Sequence, residues 1–388
     1  MYSINLREEI FGGTLFDLET GKREYVNKEE LRHIIEENNF PKDLNITKDK
    51  HDKKIKFTKL TDENIGNHFS FADIVLLEVT RSCNLRCKHC LNSSGEAIPN
   101  QLSTEEFRNL IKELAKEGVQ DIRFTGGEPL LHKEIYDLIK LASDNGVYTS
   151  IGTNGTLITE GVAKKLKNSG LKKAVVSIDG TEKMHDFVRG EGNFKKAIKG
   201  LQILIDQEIN VRVNSVIMRS NMNAVISLAK ELHKKGIHVF IRRFLEAGRG
   251  TELENNMLSK EDYKYVKEQL EEELKGKYII GHYLNDEKTN KPRIGLPFNM
   301  EGCKAGQRAI AIMADGDIQL CGFLYSQGVT PVDNVRNIKD WRILWNDLQK
   351  NDRLCSLRCN LDKYNKIQGI QETYCLGYIQ RLMNKGEL

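Results

Sequence analysis

The sequence predicts an α/β protein built on a partial (β/α)6 TIM-like barrel, and three features carry that prediction. Strand-like and helix-like runs alternate six times between residues 73 and 245, the pattern of a parallel sheet with helices outside it. Six units rather than eight leave the barrel incomplete. Three cysteines, Cys83, Cys87 and Cys90, follow the first of these strands, and the other five, Cys303, Cys321, Cys355, Cys359 and Cys375, are confined to the last quarter. The chain divides into a small α+β unit over 1–72, the barrel over 73–250, a connector over 251–300 and a cysteine-bearing unit over 301–388.

The 388 residues are 39% hydrophobic and 29% charged, with a net charge of +4. That composition suits a globular chain and offers no basic surface for a general nucleic-acid partner. No apolar run approaches a membrane span, and "MYSINLREEIFGG" lacks the basic and apolar regions of a secretory signal. The expected location is therefore cytoplasmic, with no nucleic-acid and no membrane partner. In a reducing compartment clustered cysteines read as metal ligands or redox groups rather than disulfides.

In the first unit, "GGTLFDL" and "KREYVN" read as strands joined by a turn at "ETGK". Asn27 is placed to cap the next helix, with Glu30 in capping-box position. The Lys-rich stretch that follows reads as a loop, or as a hairpin with "KIKFTKL". The six barrel strands are "DIVLLEVT", "VQDIRFT", "VYTSIGT", "KKAVVSID", "NVRVNSVIM" and "HVFIRRF". Ser103 caps the first intervening helix, which ends at Gly118. Further helices are expected from His132 to Asn145 and near 160–169, 193–207 and 223–235. The connector carries one helix, "SKEDYKYVKEQLEEEL". "ADGD" turns a hairpin between "RAIAIM" and "IQLCGF".

Three thiolates near one point admit two readings. Zinc wants four ligands and would recruit His89, which lies between two of the cysteines and competes with them for space. A [4Fe–4S] cube held by three cysteines keeps one iron open to bind and activate another molecule. The position just after a barrel strand is where barrel active sites lie.

Cys83-x3-Cys87-x2-Cys90 after a strand resembles the signature of radical S-adenosylmethionine (SAM) enzymes. The resemblance implies that the open iron chelates the methionine part of SAM, and that one electron then cleaves a carbon–sulfur bond to give a 5′-deoxyadenosyl radical. The electron donor implied is of flavodoxin or ferredoxin type. "FTGGEPLL" after the second strand resembles the family's GGE motif: Gly126 and Gly127 let backbone approach a ligand, and Glu128 accepts from the methionine amine. Asn154 in "GTNGT" is suited to a ribose. Ser177 and Asp179 in "SIDG" point into the same mouth, and Arg189 matches the family position that pairs with the methionine carboxylate. Taken singly, these residues have plainer readings: a turn, a helix cap, a surface ion pair.

Gly316-x4-Cys321, preceded by Cys303, resembles the hairpin of auxiliary-cluster extensions known as SPASM and twitch domains. Five cysteines suffice for one fully ligated auxiliary [4Fe–4S] cluster, as in the shorter twitch form, with Cys303, Cys321, Cys355 and Cys359 as ligands and Cys375 left over; Cys359 and Cys375 can exchange roles. A zinc ribbon-like site is the alternative for the same thiols.

Residues 7–31 resemble the small winged-helix-like domains that bind a precursor's leader peptide as an added strand. "CLNSSG", "RGEGNF" and "EAGRGTE" resemble peptide maturases of the mycofactocin type. The resemblance implies a radical SAM enzyme acting on a ribosomally made precursor peptide. The alternatives are the same chemistry on a protein-bound cofactor enzyme or a small molecule, and, in another class, a zinc-binding interaction protein.

Overall fold

The computed structural model describes residues 2–44, 46, 54–61, 68–253, 255–275, 279–281, 294–296 and 305–350. Cys303, Cys355, Cys359 and Cys375 lie outside the described residues, and so does the ligand set expected of them.

The N-terminal unit is a four-stranded sheet in the order β3-β2-β1-β4. Its strands are β1 (Ile4–Glu9), β2 (Gly12–Asp17), β3 (Arg23–Asn27) and β4 (Ile55–Thr58). β1 was not legible as a strand, and β4 pairs with it in parallel instead of forming a hairpin. Helix α1 (Lys28–Glu37) starts at the expected cap: Glu30 N–H donates to Asn27 Oδ1 at 2.9 Å, and Asn27 N–H donates to Glu30 Oε2 at 2.9 Å. Such a reciprocal cap is worth about 1 kcal/mol.

The barrel strands are β5 (Ile74–Glu78), β6 (Asp121–Thr125), β7 (Tyr148–Thr153), β8 (Lys173–Ser177), β9 (Asn210–Ile217) and β10 (Val239–Arg243). They pair in parallel in chain order. The intervening helices are α2 (Thr104–Lys116), α3 (Ile135–Asp144), α4 (Glu160–Asn168), α5 (Glu182–Arg189), α6 (Asn193–Asp206) and α7 (Met222–Lys234), followed by α8 (Lys260–Leu274) in the connector. Each of these barrel helices turns buried apolar residues inward, such as Phe107, Leu110, Ile111 and Leu114 of α2, because its apolar positions recur at helical spacing.

The sheet continues past both ends of this series. Strand β11 (Ile279–Gly281) adds in parallel to β10, and β12 (Ala309–Ile312) adds in parallel to β5. β12 turns at the expected hairpin into β13 (Asp317–Gln319), and β14 (Asp333–Asn334) completes the edge. The unit beginning at residue 301 is thus hydrogen-bonded into the barrel sheet. Helix α9 (Gly322–Ser326) follows Cys321, and α10 (Trp341–Gln349) packs on the segment that joins the first unit to the barrel. Trp345 is 1% exposed, packs at a tilt against Phe71 and donates from Nε1 to Phe69 O at 2.7 Å. Among the described residues no helix is long and apolar enough to cross a membrane.

The first unit packs against the N-terminal ends of the barrel strands. Asn5 Nδ2 donates to Val119 O and Gly146 O, just before β6 and β7, and Phe16 packs edge-on against Tyr148. The opposite, C-terminal ends of the strands carry the cleft described next.

Candidate active site

The loop after β5 is folded by its backbone and clamped by the second βα loop. Cys83 N–H donates to Gly95 O at 2.9 Å, Gly127 N–H to Thr80 O at 2.7 Å and Glu128 N–H to Ser82 O at 2.8 Å. The closeness explains the paired glycines: a Cβ on Gly126 would collide with Thr80 O, and one on Gly127 with Ser82 O. The expected approach is therefore toward the cysteine loop as well as toward a cleft.

That cleft encloses ≈1130 Å³ out to bulk solvent, and Cys83, Cys87 and Cys90 stand on its wall with Gly126, Gly127, Asn154, Ser177 and Arg189. The structure thus gathers eight of the ten residues expected at the barrel mouth. Glu128 and Asp179 lie behind the wall instead. The Glu128 carboxylate is fully buried and accepts from Thr153 Oγ1 at 2.8 Å, Asn154 N–H at 2.8 Å and Leu130 N–H at 3.3 Å. Burial pushes its carboxyl up to about 7, against the pull of those donors. It braces the loops of β6 and β7 rather than facing the cleft.

Asp179 is also fully buried and does not point into the mouth. Its Oδ2 receives Arg189 Nε and His89 Nε2, each at 2.6 Å, and its Oδ1 receives Val216 N–H at 2.7 Å. Burial alone would raise this carboxyl, but Arg189 and His89 outweigh it and hold it well below the usual carboxylate range. Asp179 thereby fixes Arg189, whose Nη1 stands 3.8 Å from Cys87 Sγ. His89 is occupied by Asp179, which leaves it a poor fourth ligand for a metal.

Asn214 was not singled out beforehand, whereas Arg242 and Arg243 belong to the "IRRF" end of the sixth strand. Asn214 on β9 lines the cleft, and its Oδ1 is buried without a hydrogen-bond partner, so it presents an acceptor to an occupant. Arg242, Arg243 and Arg249 join Arg189 on the wall, and none of the described residues that line it is Asp or Glu. The period-2 pattern of β9 could have flagged Asn214, which shares a face with Arg212 and Val216.

This donor set suits a three-cysteine cluster with a bound ligand. Burial pushes the Cys83 thiol up to about 11, so its thiolate needs a positive partner at neutral pH. Among the described residues no three His, Cys, Asp or Glu side chains close around a point as one metal ion requires. The three cysteines stand on the wall of one open cleft, which has room for a multi-atom cluster.

A model described as the Radical SAM superfamily matches residues 77–232. The AdoMet-dependent heme synthase of Oleidesulfovibrio alaskensis is 30% identical over 273 residues, which cover 65% of this chain and 70% of that protein. The chain belongs to the radical SAM superfamily. It is therefore an enzyme whose cofactors are SAM and a [4Fe–4S] cluster. The mycofactocin maturase MftC of Mycolicibacterium smegmatis is 30% identical over 253 residues, 63% of each chain. Streptococcus suis SuiB, solved bound to precursor peptide SuiA, shares the fold at a TM-score of 0.66 and 18% identity, over 89% of this chain and 87% of that one.

Proposed function

We propose that this radical SAM enzyme modifies a ribosomally made precursor peptide. The observation that most supports the reading is the extent of fold shared with SuiB, 89% of this chain and so more than the barrel, in a protein solved with its precursor peptide. The likeness to MftC points the same way.

In this reading Cys83, Cys87 and Cys90 hold the cluster. Bound cluster and SAM together supply a hydrogen-abstracting 5′-deoxyadenosyl radical. The chain's own residues bind and orient. Arg189, preset by Asp179, takes the methionine carboxylate. The backbone at Gly126 and Gly127 meets the amine, and Glu128 holds that loop in place. Asn154 and Ser177 take the ribose. Cys321, buried at the start of α9, is one ligand of an auxiliary [4Fe–4S] cluster shared with Cys303, Cys355 and Cys359 or Cys375. A flavodoxin- or ferredoxin-type protein delivers the electron, and the unit over 1–72 binds the leader.

A second reading, a multiply anionic small molecule as substrate, draws on the four arginines of the cleft wall and on the heme synthase relatives. One experiment separates the two. The reconstituted enzyme is incubated with SAM, dithionite and a candidate precursor, such as any short peptide encoded beside its gene, and both products are followed by mass spectrometry. A peptide mass change in step with 5′-deoxyadenosine supports the first reading. Turnover with a carboxylate-rich small molecule and none with the peptide overturns it.

A further inference from the structure

Arg249 belongs to the "EAGRGTE" stretch after β10, for which the SAM-binding scheme has no role. The turn Gly248–Glu252 lies flat against the cysteine loop. Gly248 has φ +56, and a Cβ there would collide with Leu91 O and Cys90 O, so only glycine allows this approach. Arg249 then ties the loop at three carbonyls. Its N–H donates to Cys90 O at 3.1 Å, its Nε to Cys87 O at 2.9 Å and its Nη1 to Ser94 O at 2.9 Å.

Its hydrogen-bond partners among the described residues are all neutral. Among the described residues no carboxylate pairs with Arg249. Three other arginines are treated differently: Arg7 and Arg308 close on Asp73, and Arg189 on Asp179. A half-buried guanidinium without a counter-charge is unfavourable, and carbonyls alone could be held by a neutral donor. Two of the three carbonyls that it holds belong to Cys87 and Cys90, which sets its charge beside the cysteine loop.

We propose that the counter-charge Arg249 lacks is the open cluster itself, and that Arg249 is a positioning residue that pins the cysteine loop and raises the cluster's reduction potential. This rests on the reading of Cys83, Cys87 and Cys90 as its ligands. The physical reason is electrostatic. Reduction adds a negative charge, and a fixed cation beside the thiolates stabilises the reduced form more than the oxidised one.

The test compares the full-length enzyme with Arg249→Lys, Arg249→Gln and the triple Cys83/Cys87/Cys90→Ala variant. Each is reconstituted anaerobically, and the EPR signal that changes on adding SAM is titrated against potential. Arg249→Gln is expected to shift the midpoint to more negative values, and Arg249→Lys, which keeps the charge, to shift it much less. An unshifted midpoint in Arg249→Gln, or equal shifts in both, overturns the proposal. If Arg249→Gln takes up no cluster, Arg249→Lys decides: a near-native midpoint supports the charge role, and the same loss of cluster shows that bond geometry alone matters and overturns it. A SAM-responsive signal surviving in the triple variant would sink the ligand reading itself.

Discussion

The guanidinium of Arg7 meets the carboxylate of Asp73 at 2.7 Å, with both side chains fully buried. The other oxygen of Asp73 takes Arg308 Nε at 2.7 Å, with Arg23 Nε at 3.6 Å. Arg7 is held in turn by Glu9, which also accepts from Ser70 N–H. One carboxylate at the entry to the barrel thus joins the first unit, the barrel and the strand that returns from the C-terminal unit. The first unit is a floor of the barrel.

Asp73→Ala leaves three guanidiniums without their shared partner in a dry site. Removing one member of a buried ion pair costs about 3–5 kcal/mol, and a loss of that order is expected in urea unfolding of the metal-free protein. A loss below about 1 kcal/mol would mean that the joint is solvated.

That joint also explains what the sequence hid. The six barrel units were legible because each strand and helix carries its own period, and Ser103 and Asn27 cap where expected. β1 was not, because its buried positions include Arg7 and Glu9, which look like surface residues until their partners are known. The pairing of β12 with β5 joins residues more than 230 positions apart, and no local pattern encodes it. At the cleft, motif order located the wall, but the inward turn of Glu128 and Asp179 depends on donors supplied by other loops.

Reconstituted enzyme is expected to hold about eight irons, in two cubes. The Cys83/Cys87/Cys90→Ala variant should keep about half and form no 5′-deoxyadenosine from SAM. Product formation by that variant would place the reactive cluster elsewhere.

Arg189→Ala should weaken SAM binding by about 10- to 100-fold, the worth of one charged hydrogen bond. Glu128 should behave differently, because it braces loops. Glu128→Gln keeps one acceptor oxygen, for either the Asn154 or the Thr153 donor, and should retain more affinity than Glu128→Ala. Equilibrium dialysis with labelled SAM measures both. Equal losses for Gln and Ala would favour direct contact with the ligand.

Lys56 gives the floor a pH signature. Burial, and then Arg7, lower its ammonium to about 8, and its Nζ donates to Ala115 O at 2.6 Å. A lysine whose folded pKa is depressed binds fewer protons folded than unfolded. Stability attributable to it therefore rises with pH between about 8 and the unfolded value near 10.5. Unfolding in urea under reductant should show that rise in the parent protein and less of it in Lys56→Met. The same rise in both would assign it to other groups.

The position of the first unit constrains the peptide it would bind. Its contacts are with the starts of β6 and β7, whereas the cleft is lined from the far ends of β6, β7 and β8 by Thr125, Thr153 and Ser177. A barrel strand of five or six residues is about 17–20 Å long. A leader added to a sheet edge of the first unit must therefore pass up the outside of the barrel and turn into the mouth. At about 3.3–3.6 Å per extended residue, that path takes on the order of ten residues between anchor and modified position. Lys56 is engaged with Ala115 O and Lys54 lies over Tyr2. Attraction to an acidic leader thus falls to Lys48, Lys50 and Lys53, outside the described residues, and salt should weaken it. The measurement pairs fluorescence anisotropy of labelled precursors with mass spectrometry of the product, as the spacer is shortened stepwise at low and high salt. Binding should survive shortening while modification fails once the spacer drops below about six residues, too few to cover one strand length. Modification of a precursor with no spacer would mean that the leader is held elsewhere, and that the first unit serves the barrel only as its floor.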